Sequence, residues 1–161
     1  MIIGLISDTH DNVESVKKSV EIFKRNEVDF AIHLGDVVAP LTMQFFFGLK
    51  MKVVKGNCDG DVAHMKKKVS EINGEFFKSQ LTMNVDRKKI AAVHGDNEMI
   101  LDKLIASQEY DYIFHGHTHQ KKDEKAGKTR VINPGAHYPT VEEKTIAILD
   151  TEKDHVRFVE V

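Results

Sequence analysis

A single cysteine, Cys58, stands in 161 residues, which excludes an intramolecular disulfide. No apolar run comes near the roughly 20 residues that a membrane-spanning helix needs. Charge of one sign is not in excess either. The 23 Lys and Arg face 25 Asp and Glu, a formal net charge of -2, so nothing draws the chain broadly to nucleic acid or to an anionic membrane. The opening stretch Ile2–Ile6 is too short for the core of a signal peptide and has no basic segment before it. The expectation is a cytoplasmic protein. Internal repeats, low-complexity tracts and linkers are also absent. Residues 1–161 therefore read as one domain, long enough to bury a substantial core.

What is present is an alternation of short apolar runs with helical periodicity. Ile2 to Ile6 suits a buried strand, and Val13, Val16, Val20 and Phe23 recur at helical spacing after a cap at Asp11 or Asn12. Phe30 to Leu34 reads as a second strand, followed by a helix opened by Pro40, and Met51 to Val54 as a third. Strands alternating with helices point to a largely parallel sheet, whose ligands collect beyond the carboxyl ends of the strands. From Glu75 the rhythm changes. Phe76 to Val85 and Lys89 to Val93 flank Asp86-Arg87-Lys88 as a hairpin, and a helix over about Met99 to Ser107 presents Ile100, Leu101, Leu104 and Ile105. Tyr110 to Phe114 is strand-like, Thr129 to Ile132 follows a turn at Gly127, and Thr145 to Leu149 with Val156 to Val161 make a closing hairpin.

Five of these runs end in residues suited to hold a metal: Asp8 and His10, Asp36, Asn57, His94, and His117 with His119. A parallel sheet would set the five ends along one edge. In extended backbone, His117 and His119 would point to the same side. Seven such side chains exceed the needs of one catalytic zinc, so two ions are implied. Nitrogen and oxygen donors without thiolate suit manganese, iron, cobalt, nickel or zinc. Two divalent ions, Asp8, Asp36 and a bridging hydroxide sum to a formal charge of about +1, which attracts a phosphate.

The same residues carry a family resemblance. Asp8-Thr9-His10, Gly35-Asp36, Gly56-Asn57, His94-Gly95 and Gly116-His117-Thr118-His119, with Asn133-Pro134-Gly135 near the end, resemble the calcineurin-like metallophosphoesterases, in particular their small single-domain phosphodiesterases. The resemblance implies a four-layer αββα sandwich of the α/β class. It implies that Asp8, His10 and His119 hold one ion, that Asn57, His94 and His117 hold the other, and that Asp36 bridges them. It also implies hydrolysis of a small phosphate ester by in-line attack of a metal-bound hydroxide, with manganese the leading ion. Cys58 departs from the pattern, because many monoesterases of the family carry there a histidine thought to protonate the leaving group. A thiol in its place favours a diester, or a leaving group that needs little protonation, and Asp59 is then expected to orient a water or the thiol. The same fold also resembles a retromer subunit that serves protein assembly, so a non-catalytic scaffold is the rival reading, and a nucleic-acid phosphodiesterase the third.

Other features read more plainly. His33 and His115 are expected to support the ligands, and His137 to line a substrate pocket. Lys66 to Lys68 and Arg87 to Lys89 read as solvated faces, so nucleic acid is not the expected partner. Phe45, Phe46 and Phe47 fan over about 200° of a helix, more than one core stripe covers, so at least one ring should lie under a neighbouring element or at a homo-oligomer contact.

Overall fold

Successive side chains of a strand point to opposite faces, and β1 (Ile2–Ile6) uses both. In the computed structural model, which describes residues 1–161, Ile6 packs among helices while Ile3 and Leu5 face a second sheet. β1 therefore lies at the centre of the molecule, with β2 (Phe30–His33) parallel on one side and β10 (Thr145–Asp150) antiparallel on the other. β3 (Met51–Val54), β4 (Glu75–Phe77) and β11 (His155–Glu160) complete a sheet of order β11-β10-β1-β2-β3-β4. The second sheet has the order β5-β6-β7-β9-β8, from β5 (Gln80–Val85), β6 (Lys88–Val93), β7 (Tyr112–Phe114), β8 (Lys122–Ala126) and β9 (Thr129–Asn133).

Three apolar clusters define four layers. On the outer face of the first sheet, Ala31 and Val53 meet Val16, Val20 and Phe23 of α1 (Val13–Arg25) and Met65 and Val69 of α2 (Val62–Glu71). Between the sheets, Ile3, Leu5 and Ile32 meet Ile90, Tyr112 and Phe114. Beyond the second sheet, Ala91 and Ile113 meet Leu101, Leu104 and Ile105 of α3 (Glu98–Ser107). The αββα expectation is borne out. No helix is long and apolar enough to cross a membrane.

Several local expectations change. The metal-site strand ends do not lie along one sheet edge: β1, β2 and β3 belong to the first sheet and β6 and β7 to the second. The apolar content of β6 and β7 covers the inner face of β1 to β3, which one continuous sheet would leave bare. Phe76 and Phe77 do not extend the hairpin, because they pair in parallel with Val53 and Val54. The hairpin arm starts at Gln80, and its turn is Asp86 and Arg87 at φ 47° and 64°, the paired left-handed geometry that suits strand twist. Pro40–Phe46 is a 3-10 helix, not an α-helix. Of the phenylalanine triplet, Phe46 is fully buried, Phe45 half-buried and Phe47 67% exposed. Ile100 lies off the packed face of α3, with 42% exposure.

Candidate metal centre

The loops after β1, β2, β3, β6 and β7 converge because their backbones are tied to each other. The His94 ring reaches the Leu34 carbonyl at 2.7 Å, the Gly116 N–H donates to the His94 carbonyl at 2.8 Å, and the His117 N–H donates to Asp8 Oδ2 at 3.0 Å. Asp8 is fully buried, and Ser7 Oγ donates to the same Oδ2 at 2.5 Å. Its Oδ1 has no hydrogen-bond partner and faces His119 Nε2 at 3.4 Å. Burial pushes the Asp8 carboxyl up from its ordinary value.

Asp36 stands between two imidazoles, with Oδ2 3.6 Å from His10 Nε2 and 3.5 Å from His94 Nε2. Its Oδ1 accepts the Cys58 N–H at 2.7 Å. Burial alone would raise the Asp36 pKa, but hydrogen bonds from His94 and the Cys58 amide outweigh it and hold the carboxyl well below the usual range. Burial likewise works to lower His94, and the hydrogen bond and charge of Asp36 outweigh it, so His94 is raised. Because His94 Nδ1 donates to the Leu34 carbonyl, Nε2 is the ring nitrogen that faces Asn57 Oδ1 at 2.9 Å and Asp36 Oδ2, as a donor when the ring is protonated and with its lone pair when the ring is neutral. Two acceptors at that distance need a proton or a cation between them. His117 lies against His94, ring centroids 5.1 Å apart, and His119 lies 5.7 Å from His10.

The donor set fits divalent ions. The ligand atoms of Asp8, His10 and His119 lie within 4.8 Å of one another, as do those of Asp8, Asp36 and His94, and those of His10, Asp36 and Cys58. Buried Asp8 Oδ1 and His10 Nε2 are left without a partner from the protein, which is costly unless a cation meets them.

The backbone around the centre is held in a conformation that side chains seldom adopt. Asp8, His10, Asp36, His117 and His119 have φ between 40° and 65°. His117 and His119 therefore do not sit in extended backbone; each lies in the left-handed region and is aimed separately. Val38 is β-branched and stands at φ 80°, at a cost of about 1–3 kcal/mol. Asp59 supplies part of what holds these loops. Its buried carboxylate accepts N–H groups from Gly56 at 2.7 Å, Asp36 at 3.1 Å and Val38 at 2.8 Å. Both oxygens are thereby engaged, so Asp59 does not orient a water or the Cys58 thiol; it joins the loops after β2 and β3. Cys58 is exposed, and partial desolvation, then the hydrogen bond and charge of Asp36, push its thiol up to about 11.

Tyr138 and Ser7 gave no sign of their place in the sequence. The Tyr138 ring stands edge-on to His10 at 4.9 Å and stacks on His119 at 5.9 Å, although no motif reaches it. Ser7 was legible only as the neighbour of Asp8. Asn133, by contrast, holds the histidine loop, donating to the Gly116 carbonyl at 2.9 Å and to Thr118 Oγ1 at 3.0 Å. His137 does not line a pocket. It is fully buried against the Ser15 hydroxyl, and its backbone N–H donates to the Asp8 carbonyl at 3.0 Å. His33 accepts the Gly35 N–H on Nδ1 at 3.2 Å, so its Nε2–H donates to Thr9 Oγ1 at 3.0 Å. A cavity of about 520 Å³ opens beside Met1, Lys50 and Asp86 and is lined by none of these residues.

Burial lowers His33 to about 3 and His137 to about 4, against an ordinary 6.5. Both folded values lie below the unfolded one, so acid protonates the unfolded chain first. The stability these two residues contribute is complete above about pH 6.5 and is lost as pH falls toward 3, on the order of several kcal/mol in total. The melting temperature of metal-free protein, followed by calorimetry, should fall across that window; a flat profile would contradict neutral burial.

Two packed sheets between helical layers, with aspartates and histidines meeting at their shared end, define a metallohydrolase-like centre. The chain belongs to the calcineurin-like phosphoesterase superfamily, whose domain profile matches residues 1–154. It is 36% identical over 162 aligned residues to phosphodiesterase MJ0936 of Methanocaldococcus jannaschii, covering 98% of this chain and 97% of that protein. The solved structure of an archaeal phosphodiesterase superposes with a TM-score of 0.95 at 32% identity and covers 100% of both chains. YfcE, a phosphoesterase from E. coli, shares the fold with a TM-score of 0.72 at 17% identity, over 99% of this chain and 98% of that one. Zinc-bound Vps29 from Entamoeba histolytica shares it with a TM-score of 0.70 at 16% identity, over 100% and 98%.

Proposed function

We propose that this chain is a dinuclear metal-dependent phosphodiesterase acting on a small phosphate ester in the cytoplasm, apart from membranes and nucleic acid. The observation that carries the reading is the position of Asp36 between His10 and His94, beside the unpartnered Asp8 Oδ1 and His10 Nε2. Asp8, His10 and His119 would hold one ion, and Asn57, His94 and His117 the other. Asp36 would touch both. Manganese leads, with nickel, iron, cobalt and zinc open to the same donors. Bound there, the ions supply Lewis acidity to the phosphoryl oxygens and acidify water. The likeness to a phosphodiesterase supports a diester substrate.

The protein's own groups prepare this chemistry. The Leu34 carbonyl fixes the His94 tautomer with its Nε2 lone pair toward the centre. Asp36 stays ionised because its hydrogen bonds outweigh its burial. The Cys58 thiol keeps its proton at neutral pH, and a donor that weak suits leaving groups that depart as stable anions.

Metal analysis and a diester assay with and without manganese test the proposal. The expected result is about two ions per chain and metal-dependent hydrolysis of bis(4-nitrophenyl) phosphate. Metal uptake without turnover on monoesters, cyclic nucleotides and linear diesters would instead favour an assembly role. Cys58→His should raise kcat/KM for glycerol 2-phosphate relative to bis(4-nitrophenyl) phosphate by about tenfold or more. An unchanged ratio would remove Cys58 from the account of substrate preference.

A further inference from the structure

An imidazole that binds a metal is held in place by what meets the rest of its ring, most often an acceptor for the second nitrogen. His94 has such an acceptor in the Leu34 carbonyl, 2.7 Å from Nδ1. His10 and His119 have none within the protein. The polar groups that approach them, Asp36 Oδ2 at 3.6 Å and Asp8 Oδ1 at 3.4 Å, both meet Nε2, the nitrogen turned to the centre. Rotation of an imidazole about its last side-chain bond is soft, so packing has to fix these two rings.

Tyr138 supplies that packing. Its ring stands 4.9 Å from His10 at 82° and 5.9 Å from His119 at 24°, and the two imidazoles meet each other at 5.7 Å and 79°. Edge-on and stacked contacts at these separations are the ones aromatic pairs prefer. The backbone on either side of the ring is pinned. The His137 N–H donates to the Asp8 carbonyl, the His137 carbonyl accepts from Asn12 Nδ2, and the Val141 N–H donates to the Tyr138 carbonyl, each at 3.0 Å. Tyr138 itself is 39% exposed, so its side chain can be removed without opening the core. Its ring contacts and the tie to Asp8 fall on one half of the ligand set. The other half is held by the Leu34 carbonyl on His94 and by the His94–His117 ring contact at 5.1 Å.

We propose that Tyr138 is a positioning residue for one ion of the pair. Its ring holds His10 and His119 so that both present Nε2, and its loss weakens the ion at Asp8, His10 and His119 while sparing the ion at Asn57, His94 and His117. The assignment rests on the dinuclear reading of the centre. The flat ring carries the effect, and the hydroxyl is dispensable.

The test is calorimetric titration of metal-free protein with manganese(II) chloride. Wild-type protein should take up two ions. In Tyr138→Ala one of them should bind about tenfold more weakly, the scale of losing a partner that orients a ligand. Tyr138→Phe should match the wild type at both ions. Asn57→Ala and His119→Ala, each disabling one half, identify the ion affected. Adding Tyr138→Ala should weaken manganese binding about tenfold in the first background and leave it unchanged in the second. Hydrolysis of bis(4-nitrophenyl) phosphate by Tyr138→Ala should need about tenfold more manganese for half its maximal rate, with the KM for the ester unchanged. If the alanine variant does not fold, Tyr138→Leu, which keeps apolar bulk without a flat ring, serves for the same comparison. Manganese affinities equal to the wild type, a loss shared equally by both ions, or a loss as large in Tyr138→Phe would each overturn the proposal. A wild type that binds one ion overturns the dinuclear reading; weakening of that ion in Tyr138→Ala alone then supports the positioning role at a mononuclear centre. Protein that binds no manganese overturns both.

Discussion

Asp36→Asn should lower diester turnover by on the order of 10³-fold, about 4 kcal/mol of transition-state stabilisation. The substitution keeps the size of the side chain and removes its charge. Asp36 Oδ2 lies 3.6 Å from His10 Nε2 and 3.5 Å from His94 Nε2, so one change reaches both halves of the ligand set. In the proposed assignment each other ligand serves one ion. The effect should therefore appear in metal content as well as in rate, with both ions weakened together. Circular dichroism and the melting temperature serve as controls for folding. Turnover of a diester near the wild-type rate would sink the bridging role, and with it the dinuclear assignment.

Gly56→Ala should produce the second large effect, and it should do so without replacing any candidate ligand. A Cβ at Gly56 would overlap the backbone nitrogen and Oδ1 of Asp36. Asp36 has little room to retreat. Asp59 binds its backbone N–H, and the Cys58 N–H, two residues beyond the substitution, binds its carboxylate. Overpacking against backbone costs about 1–3 kcal/mol, and a fixed neighbour puts this case at the upper end or above. For a chain of this length the melting temperature should drop by about 10 °C, and activity should fall with the displaced carboxylate. Gly60→Ala is the matched control, since a Cβ there meets nothing within 4 Å. Equal melting temperatures for the two variants would refute the close approach of these loops.

The parts of the fold that were legible in the sequence are those whose causes are local. The β-branched run of β1, the amphipathic spacing of α1 and the closing hairpin of β10 and β11 each follow from neighbours along the chain. β4 was not legible, because three residues carry no periodicity and their partner, β3, is set by tertiary packing. The ligand candidates stood out because polar residues recur at successive strand ends. The second sheet was hidden because nothing local distinguishes the partner of β6 from that of β3. Roles set by contacts across the chain were read wrongly or missed. Asp59 looked like a group facing the centre, yet backbone amides occupy both of its oxygens. His137 was expected to line a substrate pocket and is fully buried against Ser15 of α1, while Tyr138, its neighbour, reaches His10 and His119.

The left-handed backbone at Asp8, His10, Asp36, His117 and His119 bears on how such a chain persists over generations. At each of these positions glycine would relax the main chain and bear no ligand atom. Mutation under selection for folding alone would erode them first, and the protein would gain stability as it lost its chemistry. Their presence together is what a requirement for the side chains, beyond the needs of folding, would leave.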